Sequence, residues 1–493
     1  MIKGAEIREA GIPAMQEIIV KVMKAANIAE RDGYAKPDIL AFVHCLTHEK
    51  NFPEGSEDLQ HRFAEVSDWL ESQPAFQRDF LARQAPAPWK QWGNTEDLAV
   101  EQMQNASELP IAVGGALLPD AHTGYGLPIG GVLAVRNAVI PYAVGMDIAC
   151  RMRMTVLDVP YEDFEKEQDV FVEALETETR FGVGAQFELW HLRQHPVMEE
   201  DWSVSPVTEK QKGKAALQLG TSGCGNHFVE FGELHLSEDA VEPGFTLPAG
   251  RYLALLSHSG SRGTGEAVAT HYSKLAMSMH PNLPDKLKHL AWLALNAEPG
   301  QEYWAAMQLM GRYASANHEL IHTHVLKHLG VKSLAMAENH HNFAWKEYVD
   351  GEELIIHRKG ATPAHAGRIG LIPGSMATPG FLVSGKGNPA AYNSCSHGAG
   401  RAMSRRAAYQ KLSEKQLTDF LHERHVKLIS GSLDESPMAY KDIESVMDCQ
   451  LDLVNILARF DPRLVKMAPD HDAKPFWMKK KKTMPKEEEE IQA

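Results

Sequence analysis

Apolar residues recur at helical spacing through two stretches near the start of the chain, IPAMQEIIVKVMKAANIA (12–29) and DILAFVHCL (38–46), which predicts that roughly the first 90 residues are helical. RQAPAPWKQWGN (83–94), with two prolines and a glycine, marks a boundary. Beyond it the pattern changes to short aliphatic runs broken by glycine: IAVGGALLPD, GGVLAVRNAVIPYAVGM, RYLALLSHSG, ELIIHRKGATP and GFLVSGKGN. These predict strands joined by tight loops. Two long stretches read as helices between them. One is EYWAAMQLMGRYASANHELIHTHVLKHLG, with Gly330 as its C-cap, and the other is KDIESVMDCQLDLVNILARF, where Ile443, Val446, Val454 and Leu457 share a helical face. The expected class is α+β: mixed β-sheets with helical excursions around a central cleft, and no internal repeat. The expected division is a helical extension over 1–92, a catalytic body over 93–470, and a disordered tail over 471–493 whose basic block MKKKK precedes EEEE.

Composition narrows the class. Hydrophobic residues make up 44% of the 493, and no apolar run approaches the roughly 20 residues needed to cross a bilayer. The opening MIKGAEIREAG lacks the apolar core of a signal peptide, so a cytoplasmic location is expected. The five cysteines have no paired spacing, which suits a reducing compartment. A formal net charge of −15 argues against nonspecific coating of nucleic acid but permits a local basic cleft. Candidate cations for such a cleft are Arg151, Arg153, Arg262, Arg358, Lys359, Lys386, Arg401, Arg405 and Arg406, against an equally weighted reading as ordinary surface charge.

Several glycine-rich blocks carry chemistry-bearing side chains. PDAHTGYGLPIGG holds Asp120 and His122; VGMDIACRM holds Asp147 and Cys150, three apart and therefore on one side of a turn. LGTSGCGNHFVE holds Asn226, His227 and Glu230, the last a group able to grip a nucleobase or ribose edge. His258 ends the strand of LLSHSGSRG. ENHHNFAW offers His340 and His341, of which a strand would aim only one at a given ion, and spacing alone does not choose between them. His397 lies among small residues in SHGAGR, beside Ser394, Ser396 and Arg401, a setting suited to a nucleophile at an α-phosphate. Taken singly, each has a plainer reading: a self-capping turn, an inert buried cysteine, a core histidine bonded to backbone. Together, a thiolate, a carboxylate and several imidazoles suit a borderline divalent ion such as manganese, iron, cobalt or zinc better than magnesium or calcium.

In this order the blocks resemble the RtcB family of GTP-dependent RNA ligases, over about residues 94–466: PDAHTGYGLPIGG, D-x-x-C at 147–150, LGTSGCGNHFVE, HSGSRG, HHN at 340–342, HRKGATPA, IPGSMATPG and SHGAGR. The resemblance implies an RtcB-like fold with Asp147, Cys150, His227, His258 and His341 holding two manganese ions, Cys150 bridging them, and His397 as the residue that takes GMP from GTP. It further implies nucleotide or phosphate contacts at Asn226, Glu230, Asn342, Ser375, Ala399, Gly400 and Lys466. The implied activity joins RNA 3′-phosphate or 2′,3′-cyclic phosphate ends to 5′-hydroxyl ends in tRNA splicing or RNA repair, with no membrane partner. The resemblance leaves open whether an activating protein takes part. Three departures stand out: Ala149 and Arg151 flank Cys150 where the family pattern usually has glycines, the N-terminal region does not match the family's usual opening, and the chain runs on past Lys466 to residue 493. Two competing functions share these residues, a binuclear phosphoesterase acting on RNA ends and a non-catalytic RNA-end binding protein.

Overall fold

Helices Gly4–Glu9, Gln16–Arg31, Lys36–His48, Glu57–Arg62 and Ala64–Ser72 form the N-terminal region, as the apolar spacing predicts. They bury Ile18, Val22, Ala26, Phe42, Val43 and Phe63 in a core of their own. The computed structural model describes residues 2–10, 12, 16–48, 52, 55–72, 85–281 and 283–470, so the charged segment 471–493 lies outside the described residues. Trp89–Gln91, ahead of the boundary drawn at residue 92, pairs in parallel with Gly115–Leu117 and so joins a sheet of the body.

Two larger sheets organise the rest of the α+β fold. The first runs in the order Trp89–Gln91, Ala112–His122, Ile129–Val135, Glu352–Lys359, Phe343–Val349. The second runs Ser333–His340, Arg151–Leu157, Gly250–Ser259, Phe228–Leu236, Val454–Met467, Gly380–Gly385, Ile369–Ile372, with Lys427–Ser430 added in parallel beside Val454–Met467. Asn339 draws its two ends together, since its Oδ1 accepts from the Leu371 amide (2.9 Å) and its Nδ2 donates to the Leu371 carbonyl (3.4 Å). Central strands such as Gly250–Ser259 read as unbroken apolar runs because both faces are covered. Leu253 and Leu255 pack with Phe231, Ile321 and Val325 on one side, and Ala254 and Leu256 pack with Met154, Leu234 and Phe460 on the other.

The long helix is Glu298–Leu329, and Gly330 caps it in the left-handed region (φ 68°), its amide returning to the Leu326 and Lys327 carbonyls. The second expected helix is corrected by the structure. Only Ile443–Asp448 is helical, and Val454 and Leu457 belong to a fourteen-residue strand, Val454–Met467. That segment lies between Phe228–Leu236 and Gly380–Gly385, where ladder hydrogen bonds on both sides outweigh its helical periodicity. Pro462, which cannot donate to a ladder, sits where the register shifts between Pro462 and Leu464.

Candidate metal and nucleotide site

Antiparallel pairing brings strand starts and strand ends alternately to one edge of the larger sheet. Cys150 immediately precedes Arg151–Leu157, His227 precedes Phe228–Leu236, His258 lies near the end of Gly250–Ser259, and His341 follows Ser333–His340. Their side chains line a cavity of about 720 Å³. His341 and Asn342 are also the link between the two sheets, because the next strand, Phe343–Val349, belongs to the first. The pair left open by spacing is thereby resolved: His341 faces the cavity, while His340 packs against the Phe343 and Trp345 rings, each 5.0 Å away.

The donor atoms form a chain of close contacts. Asp147 Oδ2 lies 3.0 Å from His227 Nε2, which is 3.4 Å from Cys150 Sγ. Sγ is 3.0 Å from His258 Nε2, and that nitrogen is 3.1 Å from His341 Nε2. His258 Nδ1 donates to the Asn226 carbonyl at 2.9 Å, so its Nε2 carries a lone pair, the arrangement typical of a metal-binding imidazole. Burial and the neighbouring His227 push the His258 pKa down to about 3, and burial also holds His341 well below the ordinary range, so both rings are neutral donors near pH 7. Burial, reinforced by the charge of Asp147, raises the Cys150 thiol well above its usual range, a state that a coordinated cation reverses. His227 Nδ1 and His341 Nδ1 are buried without a hydrogen-bond partner. Cys150, His227 and His258 present ligand atoms within 4.8 Å of one another, and the mixed thiol, imidazole and carboxylate set fits a borderline divalent ion.

Local backbone supports this geometry. The Cys150 amide returns to the Asp147 carbonyl (3.2 Å), closing the expected turn. Ala149 adopts φ 57°, a left-handed conformation costly for a residue with a Cβ. Gly260 leaves room for the Asp147 carboxylate, which a Cβ would strike. Asp147 Oδ1 accepts from the Ser261 amide (3.0 Å), fixing the carboxylate at the start of the helix Arg262–Met279.

His397 follows the short strand Ser394–Ser396, its ring 4.9 Å from that of His341. Its Nδ1 contacts Asp120 Oδ2 at 2.6 Å, and the same oxygen accepts from the His397 amide at 3.0 Å. Burial opposes ionisation of Asp120, but His397, His122 and Lys441 outweigh it and hold the carboxyl below the usual carboxylate range. An ionised Asp120 accepts a hydrogen bond from Nδ1–H and leaves the Nε2 lone pair for attack. Gly400 makes the close approach possible, since a Cβ there would strike the Asp120 carbonyl. The sequence singled out Asp120 without giving it this role; the two residues are 277 positions apart.

Asn226, Asn342, Ser375, Ala399 and Gly400 also line the cavity. The Asn342 amide is already engaged, accepting from the Gly360 amide (2.8 Å) and donating to the Asp147 carbonyl (3.3 Å). Ser375 Oγ pairs with Thr378 Oγ1 at 2.8 Å. Two other expected contacts are not among the residues that line the cavity. Lys466 projects from the face of its strand opposite to the cavity-lining Met467, and its ammonium donates to the Leu175 (2.9 Å) and Thr179 (3.4 Å) carbonyls. Glu230 shares a face with Phe228 and Met467 but sits one pair further from the edge, facing Val465. Its Oε2 has no partner, and burial raises its pKa well above the usual range.

Most candidate cations are spoken for. Arg151 and Arg153 both pair with the single Glu338 carboxylate. Buried Arg358 pairs with Glu347, and Arg401 and Arg405 pair with Glu435. Lys359 differs: it lines the cavity, donates among the described residues only to the Tyr125 (2.6 Å) and Leu127 (3.0 Å) carbonyls, and is pushed down to about 7 by burial.

Residues 102–467 match the family described as tRNA-splicing ligase RtcB. The chain is 33% identical over 402 residues to the RNA-splicing ligase RtcB of Escherichia coli, covering 75% of this chain and 95% of that protein. It is 30% identical to the tRNA-splicing ligase RtcB of Archaeoglobus fulgidus (74% and 90% covered) and to RNA-splicing ligase RtcB homolog 1 of Entamoeba histolytica (73% and 82% covered). The chain belongs to the RtcB family.

Proposed function

We propose that this protein is an RNA ligase that joins 3′-phosphate or 2′,3′-cyclic phosphate ends to 5′-hydroxyl ends at the expense of GTP, with two manganese ions held by Asp147, Cys150, His227, His258 and His341, in tRNA splicing or RNA repair. The observation that carries this reading is the His397–Asp120 pair beside the donor cluster. Cys150 lies between the His227 and His258 nitrogens, where its thiolate would help to hold the ions. Bound there, the ions would supply Lewis-acid withdrawal of charge from phosphate.

The chain's own groups do the rest. His397 Nε2 attacks the α-phosphorus of GTP; an N–P bond forms as the bond to pyrophosphate breaks, and Asp120 stabilises the positive charge that develops on the ring. A 3′-phosphate oxygen then displaces His397 from the GMP phosphorus, returning the neutral ring. Finally the 5′-hydroxyl attacks the activated 3′-phosphate and GMP leaves. A cyclic phosphate is first hydrolysed to the 3′-phosphate. Ser375, Ala399 and Gly400 border the nucleotide, Asn226 a phosphate, and Glu230, an unpaired buried acid on the face of Phe228 and Met467, the guanine.

Incubation with α-labelled GTP and manganese, followed by denaturation, should leave label on the parent chain and none on His397→Ala. Label persisting on the variant would remove His397 from the mechanism. A binuclear phosphoesterase would use the same donors but has no need of an oriented His397, so undiminished turnover of RNA ends by His397→Ala would favour it.

A further inference from the structure

Part of the cavity wall is aromatic. Tyr125 and Tyr142 line it, their ring centroids 6.4 Å apart, and His289 packs against both, at 5.8 Å and 90° to Tyr125 and at 4.9 Å to Tyr142. Burial, with Lys288 and Lys359 nearby, lowers the His289 pKa, so the third ring is uncharged near neutrality. Tyr125 is 67% exposed although its loop is firmly held. Gln102 brackets Gly124 through both amide and carbonyl (3.0 and 2.6 Å), Thr123 bonds Glu96, and Lys359 donates to the carbonyls of Tyr125 and Leu127. Gly126, at φ 71°, lies so close to the His289 carbonyl that a Cβ would strike it. A pinned loop that presents a large ring to solvent at the mouth of a reaction cavity is built to receive a flat partner.

Tyr125 and His397 line the same cavity. Lys359, which holds Tyr125, is followed by Gly360, whose Cβ position would stand 3.1 Å from His397 Cε1. The ends of single-stranded RNA offer unstacked bases, and aromatic side chains take them up with little regard to sequence because every base has a π face. We propose that Tyr125, backed by Tyr142 and His289, is a stacking platform for a nucleobase at the RNA end whose terminal group enters the cavity. The proposal rests on the reading of this site as an RNA ligase.

The test uses the full chain with Tyr125→Ala and Tyr125→Phe, short single-stranded RNAs, and the same RNAs abasic at either terminal nucleoside. Tyr125→Ala should raise the KM for RNA roughly tenfold while GMP labelling of His397 proceeds at the parental rate. Tyr125→Phe should restore the parental KM, because stacking needs the ring and not the hydroxyl. An abasic nucleoside at the stacked end should weaken the parent by the same factor and leave Tyr125→Ala unaffected. An unchanged KM in Tyr125→Ala, with the parent joining RNA, would overturn the platform and leave the ligase reading intact. A matching fall in GMP labelling would place Tyr125 on GTP instead and overturn it as well. A parent that joins no RNA would overturn both.

Discussion

Two groups of buried histidines flank opposite faces of one strand. Ser257 and His258 are neighbours on Gly250–Ser259, so their side chains diverge. On the Ser257 side, every ring nitrogen of His318 and His322 has a partner: Ser257 Oγ meets His318 Nδ1 (2.6 Å) and His322 Nε2 (2.8 Å), Thr155 Oγ1 meets His322 Nδ1 (2.7 Å), and the Ser259 carbonyl meets His318 Nε2 (3.1 Å). On the His258 side, the Nε2 atoms converge on Cys150 and on one another, and two Nδ1 atoms have no partner. Burial lowers the basicity of His318 and His322 on one side and of His258 and His341 on the other. Burial and depressed basicity therefore do not distinguish a structural histidine from a ligand. Convergence of ring nitrogens on one another and on a sulfur does, since only a cation can satisfy several lone pairs at one point.

Breaking the open group should have the largest effect. Cys150→Ala is expected to remove bound metal and lower RNA joining by about 100-fold or more. Elemental analysis beside a ligation assay measures both, and full metal occupancy in the variant would show Cys150 to be ordinary packing. The closed group should respond in stability alone. Ser257→Ala strips partners from two buried imidazoles and should cost about 1–3 kcal/mol, read as a lower urea midpoint with metal content unchanged. Loss of metal at the same time would mean that the two groups act as one.

Acid should also find the closed group. His318 and His322 are held below the usual histidine range in the folded chain, so on acidification the unfolded chain takes up protons first. Their contribution is complete above about pH 6.5 and is lost as pH falls below it, by about 1.4 kcal/mol per pH unit per histidine. Urea titrations from pH 8 to 5 on metal-free protein should show the fall, and His322→Gln should remove one residue's share of the slope. An identical slope in that variant would mean His322 is protonated when folded. The smallest effect is expected at Ala149, whose left-handed backbone strains the turn before Cys150. Ala149→Gly should stabilise the fold by about 0.5–1 kcal/mol with metal binding preserved, and a thermal midpoint no higher than the parent's would refute that strain.

Much of this was legible locally. The Gly330 cap, the helix Glu298–Leu329 and the Asp147–Cys150 turn each depend on residues a few positions apart. Segments whose partners are remote were misread. Val454–Met467 carries a helical pattern at its start, yet it is a strand because two neighbours from elsewhere in the chain pair with it. Lys466 and Met467 differ by one position and point to opposite faces, a choice set by register. Arg151, Arg358 and Arg401 read in sequence as candidates for phosphate, but Glu338, Glu347 and Glu435, remote in the chain or across a strand, pair with them.

The sequence by itself determined the donor chemistry. Thiol, carboxylate and imidazoles set among glycines specify what kind of ion and what kind of nucleophile the chain can offer, because ligand type and close backbone approach are properties of residues and short turns. Only the tertiary structure decided which of those groups meet. It chose His341 over His340, gave His397 its Asp120, and left some nitrogens unpartnered while closing others, because each outcome depends on a hydrogen bond or a strand register between positions far apart in the chain.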